Sequence, residues 1–278
     1  MAGTTELLML GIALFAAGGI AGVTAGLFGV GGGFIVVPAL LAVFPLFGET
    51  SEKHIYVAIG TSLATIIVSS ARSVQAHNKR GAVDFLLLRE WAPWLVAGVL
   101  AGIGIAAVVD ASILVLVFAI GVLLYSFYFL LPEAFSFGGR TPDVPHGASR
   151  AALASGLGGF SALLGIGGGT PFVVTMVICG RSLHQAVATA SGVGFIIALP
   201  GALGFLVMGL FDTGMPAGSI GYINIPALLA ISLVSIFTAP LGVRLAHSLS
   251  EIHLKRTFGV YLLCVSGTMF YKNLTFIT

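Results

Sequence analysis

Charge is what this chain has least of. Of 278 residues only 8% are Asp, Glu, Lys or Arg, against about 25% in a soluble domain. With 58% hydrophobic residues and a mean hydropathy of +1.10, the sequence reads as an integral membrane protein. At about 20 residues per spanning helix, nearly the whole length must lie in or against a bilayer, which excludes a soluble catalytic domain. Cysteine is also scarce. Cys179 and Cys264 stand far apart, each in an apolar run, which excludes CxxC redox chemistry and thiolate metal clusters and reads both as small buried apolar residues.

Acidic residues avoid the apolar runs. Glu6, Glu49, Glu52, Asp84, Glu90, Asp110, Glu133, Asp143, Asp212 and Glu251 all map to segment ends or loops, leaving no carboxylate for a midplane proton relay. HExxH, GxSxG and paired carboxylates at depth are missing as well, so an intramembrane enzyme has no machinery, and neither metal nor cofactor is expected. The net charge of +2 forms no basic stripe or aromatic platform, and nucleic acid is not an expected partner. No Lys or Arg precedes the first apolar stretch, so the charged start of a cleavable signal peptide is missing and the first helix is expected to stay in the mature protein.

What is present is a series of ten apolar segments: 7–28, 34–46, 55–76, 85–108, 112–131, 150–166, 170–180, 184–209, 223–247 and 254–271. They are continuous rather than alternating apolar and polar, which predicts helices and not a barrel. The second and seventh segments reach only about 20 and 16 Å at helical rise, against a hydrocarbon core of about 30 Å, and are expected to stop part way across. Turn signals separate the segments at Phe47-Gly48-Glu49, Lys79-Arg80-Gly81, Asp110, Pro132 to Gly147 and Asp212 to Pro216.

Two glycine clusters, Gly29 to Gly33 (GVGGG) and Gly165 to Gly169 (GIGGG), each sit between a long segment and a short one. Around them the order repeats: long helix, glycine loop, short helix, a turn with a histidine (His54, His184), then a helix with small and hydroxyl residues. Aligning His54 with His184 sets Gly60-Thr61-Ser62 opposite Ala190-Ser191-Gly192 and Arg72 opposite Ala202. This divides the chain into a first repeat, 1–131, a linker, 132–149, and a second repeat, 150–278.

The positive-inside rule orients them. With the Arg72 to Arg89 loop cytoplasmic, Arg72, Lys79, Arg80, Arg89, Arg140, Arg150, Arg181, Arg244, Lys255 and Arg256 fall inside, and Lys53 and Lys272 outside. The linker is then cytoplasmic, both termini are outside, and each glycine loop is the tip of a hairpin that begins and ends on one side. Each half makes an odd number of crossings, so the repeats are inverted. The expected fold is an all-α membrane protein of two inverted repeats, each a glycine-loop hairpin with one short helix plus about three transmembrane helices. Secondary transporters recurrently use this plan.

The motifs GLFGVGGGFIVVP (Gly26 to Pro38), AIGTSLATIIVSSARSVQAHNKRGAVDF (Ala58 to Phe85) and GIGGG followed by ATASGVGFIIALPGALG (Ala188 to Gly204) resemble the sulfite/sulfonate exporter (TauE/SafE) family of membrane permeases. The resemblance covers most of the chain and implies transport of a small sulfur-containing anion, such as sulfite or an organosulfonate, across the cell membrane.

An oxyanion crossing hydrocarbon needs donors that replace its water. Free backbone amides at a helix start supply them, with the helix dipole adding about half a positive charge. The candidate substrate site is therefore Gly31, Gly32, Gly33 and Phe34 in the first loop and Gly167, Gly168, Gly169 and Thr170 in the second, with Thr61, Ser62, Ser191 and Gly192 on the repeat-equivalent helices. Thr61, Ser62 and Thr65 line up with Ser69 on one helix face, as donors to an oxyanion or to a neighbouring carbonyl. Arg72, His54 and His184 are candidate entry or gating residues. The same glycines also suit close helix packing, and the same amides also suit an anion channel-like pore or a carrier of another small organic anion. Partners are a small anion and the lipid bilayer, with monomer and homodimer both open.

Overall fold

The structure, a computed structural model, describes residues 4–47, 53–131, 142–246, 248 and 250–277. Among them ten α-helices follow the ten apolar segments: α1 (Thr4–Phe28), α2 (Gly33–Val43), α3 (His54–Asn78), α4 (Phe85–Ala106), α5 (Ala111–Leu130), α6 (Gly147–Leu164), α7 (Gly169–Ile178), α8 (Leu183–Met208), α9 (Ile225–Ala246) and α10 (Glu251–Ile277). Six of these, α1, α3, α4, α5, α8 and α9, hold stretches long and apolar enough to cross a membrane. At 11 and 10 residues, α2 and α7 reach only about 15 to 17 Å. Part of the expected turn at Phe47-Gly48-Glu49 and residues 132–141 of the expected linker lie outside the described residues. A short hairpin of β1 (Ser219–Ile220) and β2 (Ile223–Asn224) precedes α9, a strand pair for which the apolar pattern gave no signal.

Helix ends follow local chemistry. Asp84 caps α4 by accepting from the Leu87 amide at 3.0 Å, and Ser182 caps α8 by accepting from the Gln185 amide at 3.3 Å. Pro38, Pro93, Pro200 and Pro240 lie inside helices, each freeing the carbonyl four residues earlier.

The helices pack across the halves. In the first of four pairs, α1 runs parallel to α9, with Gly18 against Ile231, Gly22 against Ser235 and Gly26 against Ala239 and Val243. In the second, α4 runs parallel to α6, with Gly98 against Ser155 and Gly102 against Gly159. Small residues let both pairs approach backbone to backbone, where dispersion replaces the missing hydrophobic drive between helices in lipid. In the third, α3 is antiparallel to α8: Ser73 bonds Ser191 at 2.8 Å, and Leu63 packs on Gly201. In the fourth, α5 is antiparallel to α10, where Ser126 Oγ donates to the Gly259 carbonyl at 2.8 Å and Ser266 Oγ to the Ala119 carbonyl at 3.0 Å. These directions put the α3–α4 turn, the α7–α8 turn and the start of α6 at one end of the bundle, with Lys79, Arg80, Arg89, Arg150 and Arg181. The start of α3, with Lys53, and the β-hairpin lie at the other.

Candidate functional site: two glycine loops in contact

Each glycine loop ends a long helix and starts a short one. The helix-starting residue on the N-terminal side, Gly32 before α2 and Gly168 before α7, has a left-handed backbone, φ +82 and +66, a region that side-chain-bearing residues rarely enter. Neither residue offers a side-chain cap, so the first amides of both short helices go without one. At α2 the Ile35 and Val36 amides donate to the Gly32 carbonyl, and at α7 the Phe172 amide donates to that of Gly168. The amides of Val30 to Gly33 in the first loop and of Gly167 to Thr170 in the second have no acceptor among the described residues.

The loops touch reciprocally. A Cβ on Gly33 would overlap the Gly165 carbonyl, and a Cβ on Gly169 would overlap that of Gly29. Residues 29–34 and 165–170 are all buried. Each loop also rests on the long helix of the opposite half, Gly29 on Val187 and Ala190 of α8, and Gly165 on Ile59 of α3.

Helix α3 holds both loops at once. Ser62 Oγ donates to the Gly165 carbonyl at 2.7 Å, and two turns on Ser69 Oγ donates to the Gly31 carbonyl at 3.1 Å. Between them Ile66 packs on both Gly31 and Gly167. Further along the same stripe Ser73 bonds Ser191, and His77 Nε2 lies 3.1 Å from the Gly26 carbonyl. Among the described residues no Asp, Glu, Lys or Arg is buried; the buried polar side chains are hydroxyls, two histidines and one asparagine.

The expected site residues divide. Gly31, Gly32, Gly33, Gly167, Gly168, Gly169, Thr170 and Ser62 come together at the loop crossing. Phe34 is buried beside them, but its ring packs edge-on against Tyr125 at 5.7 Å. Thr61 turns to the β-hairpin, its Oγ1 accepting from the Asn224 amide at 2.8 Å. Ser191 bonds Ser73 and the Val187 carbonyl, and Gly192 faces Leu88 of α4. Arg72 reaches the Ile236 carbonyl at 3.5 Å, the one Pro240 frees, and bonds Gln75. His54 is buried against Phe44 with ring centroids 5.6 Å apart, while repeat-equivalent His184 is exposed. Sequence reasoning passed over Ser70, Ser73, His77 and Ser161. The first three continue the Ser62, Thr65, Ser69 face at helical spacing, and that period was the available signal.

Two clefts open at opposite ends of the bundle. One, of about 300 Å³, is lined by residues 81–85 and by Leu87, Met176, Arg181, Gln185, Ala186 and Thr189. Two of its lining residues, Ala186 and Thr189, belong to the stretch of α8 that meets Gly29. Here Arg181 lies 4.0 Å from Asp84. The other cleft, of about 310 Å³, is bounded by Tyr56, Ala106, Met208, Asp212 and Tyr222. There Lys53 Nζ donates to Asp212 at 2.7 Å, Tyr222 bonds the other carboxylate oxygen, and Tyr56 stacks on Tyr222 at 5.3 Å. The bonds from Lys53 and then Tyr222 hold the Asp212 carboxyl below its usual pKa, and burial with that same bond pushes the Tyr222 phenol up.

A bundle of membrane-length helices, with two broken hairpins meeting at a core free of charge between two clefts, defines a multi-pass membrane transporter. The chain belongs to the sulfite exporter TauE/SafE family, whose profile matches residues 14–269. It is similar to a probable membrane transporter protein of Haemophilus influenzae, 32% identical over 92% of this chain and 96% of the relative. A probable membrane transporter protein of Methanocaldococcus jannaschii is 27% identical over 90% and 91% of the two chains. No solved structure matches.

Proposed function

We propose that this protein is a secondary transporter of the cell membrane that moves a small sulfur-containing anion, such as sulfite or an organosulfonate, by alternating access through the glycine-loop crossing. The observation that carries this reading is the sealed crossing between two clefts of similar volume at opposite ends. An anion reaching the crossing from one cleft is screened from the other until one hairpin withdraws. Free amides replace part of its water, and the absence of a buried lysine or arginine leaves it held weakly enough to be released.

The exchange of neighbours supports two inverted repeats, 1–131 and 150–278, joined by segment 132–149. The first helix of each half packs in parallel on the fourth of the other, while the third and fifth helices each pair antiparallel with their counterparts. A two-fold axis in the membrane plane relates such pairs. The basic end faces the cytoplasm by the positive-inside rule, with segment 132–149 there and both termini outside.

Reconstitution in vesicles tests the reading. Sulfite or methanesulfonate flux is expected to saturate and to show counterflow, and Gly168→Val is expected to abolish it while the protein still inserts. Unitary currents without saturation would establish a pore instead, and full flux in a Gly32→Val/Gly168→Val double variant would remove the loops from the pathway.

A further inference from the structure

The glycine loops share a backbone but not a lining. Four buried hydroxyls among the described residues have no hydrogen-bond partner, and three of them, Ser70 Oγ, Ser161 Oγ and Thr170 Oγ1, stand at the second loop. The fourth, Ser232, is on α9. The three residues are 1%, 0% and 1% exposed, and a buried hydroxyl with no partner has given up its bonds to water without replacement. Their positions converge. Ser161 Oγ lies 3.0 Å from where a Cβ of Gly168 would be, and Ser70 Oγ lies against Gly194, which also faces the Gly167 carbonyl. Thr170 occupies the second helical position of α7, beside the free amides of Gly167 to Thr170. At the repeat-equivalent positions around the first loop stand Ala25, Phe34 and Pro200, none with a side-chain donor.

Resting on the transporter reading above, we propose that the anion is held at the second loop alone, by the Gly167 to Thr170 amides with the hydroxyls of Ser70, Ser161 and Thr170, and that this site takes singly charged sulfur oxyanions. Every one of these groups is a neutral donor, which suits the three acceptor oxygens of a sulfonate or hydrogensulfite. The Born cost of burying an ion rises with the square of its charge. With no buried cation among the described residues to offset it, a dianion pays four times the desolvation for the same donors. The first loop, apolar at the matching positions, closes over the site through its Gly29 and Gly33 contacts.

The test is calorimetric titration of the purified full-length protein with methanesulfonate and with sulfate at fixed ionic strength. Methanesulfonate is expected to bind saturably and more tightly than sulfate. Ser70→Ala/Ser161→Ala is expected to weaken methanesulfonate binding roughly tenfold to a hundredfold, the loss that follows removal of hydrogen bonds to a charged group. Its melting temperature should hold or rise, because unmet hydroxyls are removed, and Ser232→Ala should leave binding unchanged. If the double variant does not fold, Thr170→Val, which keeps the side-chain shape, should read the same loss. Unchanged affinity in the loop variants, or sulfate bound as tightly as methanesulfonate, overturns this assignment and leaves the transporter reading standing. Wild-type protein that neither binds methanesulfonate nor carries a sulfur oxyanion in vesicles overturns both.

Discussion

The loop at 29–33 and the loop at 165–169 are built alike and furnished differently. Both follow a long helix, both enter a short one through a left-handed glycine, and each presses a glycine onto the carbonyl of the other. Around the second loop lie hydroxyls that bond to nothing, whereas the matching positions of the first are alanine, phenylalanine and proline. The similar backbones set where the two loops meet, and the side chains around them set which loop is lined with unpartnered hydroxyls. The same division holds for the long helices. In α3, Ser62 and Ser69 tie down both loops, while α8 carries Gly192 and Leu199 at those positions and reaches the second loop through Gly194 and Ile197 instead.

The largest effect should come from the shared part. Gly33→Ala and Gly169→Ala each drive a methyl group into a backbone carbonyl that cannot step aside. Each should cost about 3 kcal/mol or more, read as a drop in melting temperature in detergent. Similar losses at both positions support a reciprocal crossing, and tolerance at one of them breaks it.

A smaller effect is expected from Arg72, which the first half has and the second replaces with Ala202. Its Nε meets the Ile236 carbonyl freed by Pro240. Arg72→Met should cost about 1 to 3 kcal/mol by leaving that carbonyl bare. In a Pro240→Ala background the helix regains its own amide and the cost should largely vanish. A cost of the same size in both backgrounds would give Arg72 a role other than repairing α9.

Ser62→Ala and Ser69→Ala each delete one hydrogen bond from α3 to a loop carbonyl, worth about 1 kcal/mol. Chemical unfolding of the two variants should give comparable shifts. A markedly larger loss for Ser62 would mean that the second loop leans on α3 more than the first does.

The smallest effect lies at the hairpin end, where Lys53, Asp212 and Tyr222 are joined. The Asp212 pKa is depressed in the folded state, chiefly by the bond from Lys53. Its stabilisation is therefore complete above the ordinary carboxylate pKa and is lost as pH falls through the depressed folded value. Both side chains are about a third exposed, which holds the contribution below about 1 kcal/mol. Asp212→Asn should flatten the acid limb of stability against pH by that amount, and an unaltered limb would remove the pair from the account.

Much of this was legible residue by residue. Apolar runs of given length predict helices at those places because hydrocarbon leaves backbone groups no other partners, and 34–46 and 170–180 were too short to span for the same reason. The ends of α2 and α7 came from glycines whose conformations other residues resist. Partners across the sequence were not legible. Thr61 reads as a hydroxyl donor in the sequence, and nothing there shows that its Oγ1 also accepts from Asn224, because a hairpin 163 residues away delivers the amide. Gly192 aligned with Ser62 yet faces Leu88, because α8 packs on α4 at that turn. Ser161 gave no signal, since one serine in a small-residue helix has meaning only when its neighbour in space is known.

By itself the sequence determined that this chain lives in a membrane, where the ten helices of its described residues lie and where glycine loops start two short ones. Those properties follow from transfer free energy and backbone geometry, which are local and additive along the chain. The tertiary structure decided which glycine loop is lined with unpartnered hydroxyls, that the loops seal against each other and that Arg72 repairs a proline break. Each depends on atoms from opposite halves lying within a few ångströms, a relation that packing creates and that no local pattern contains.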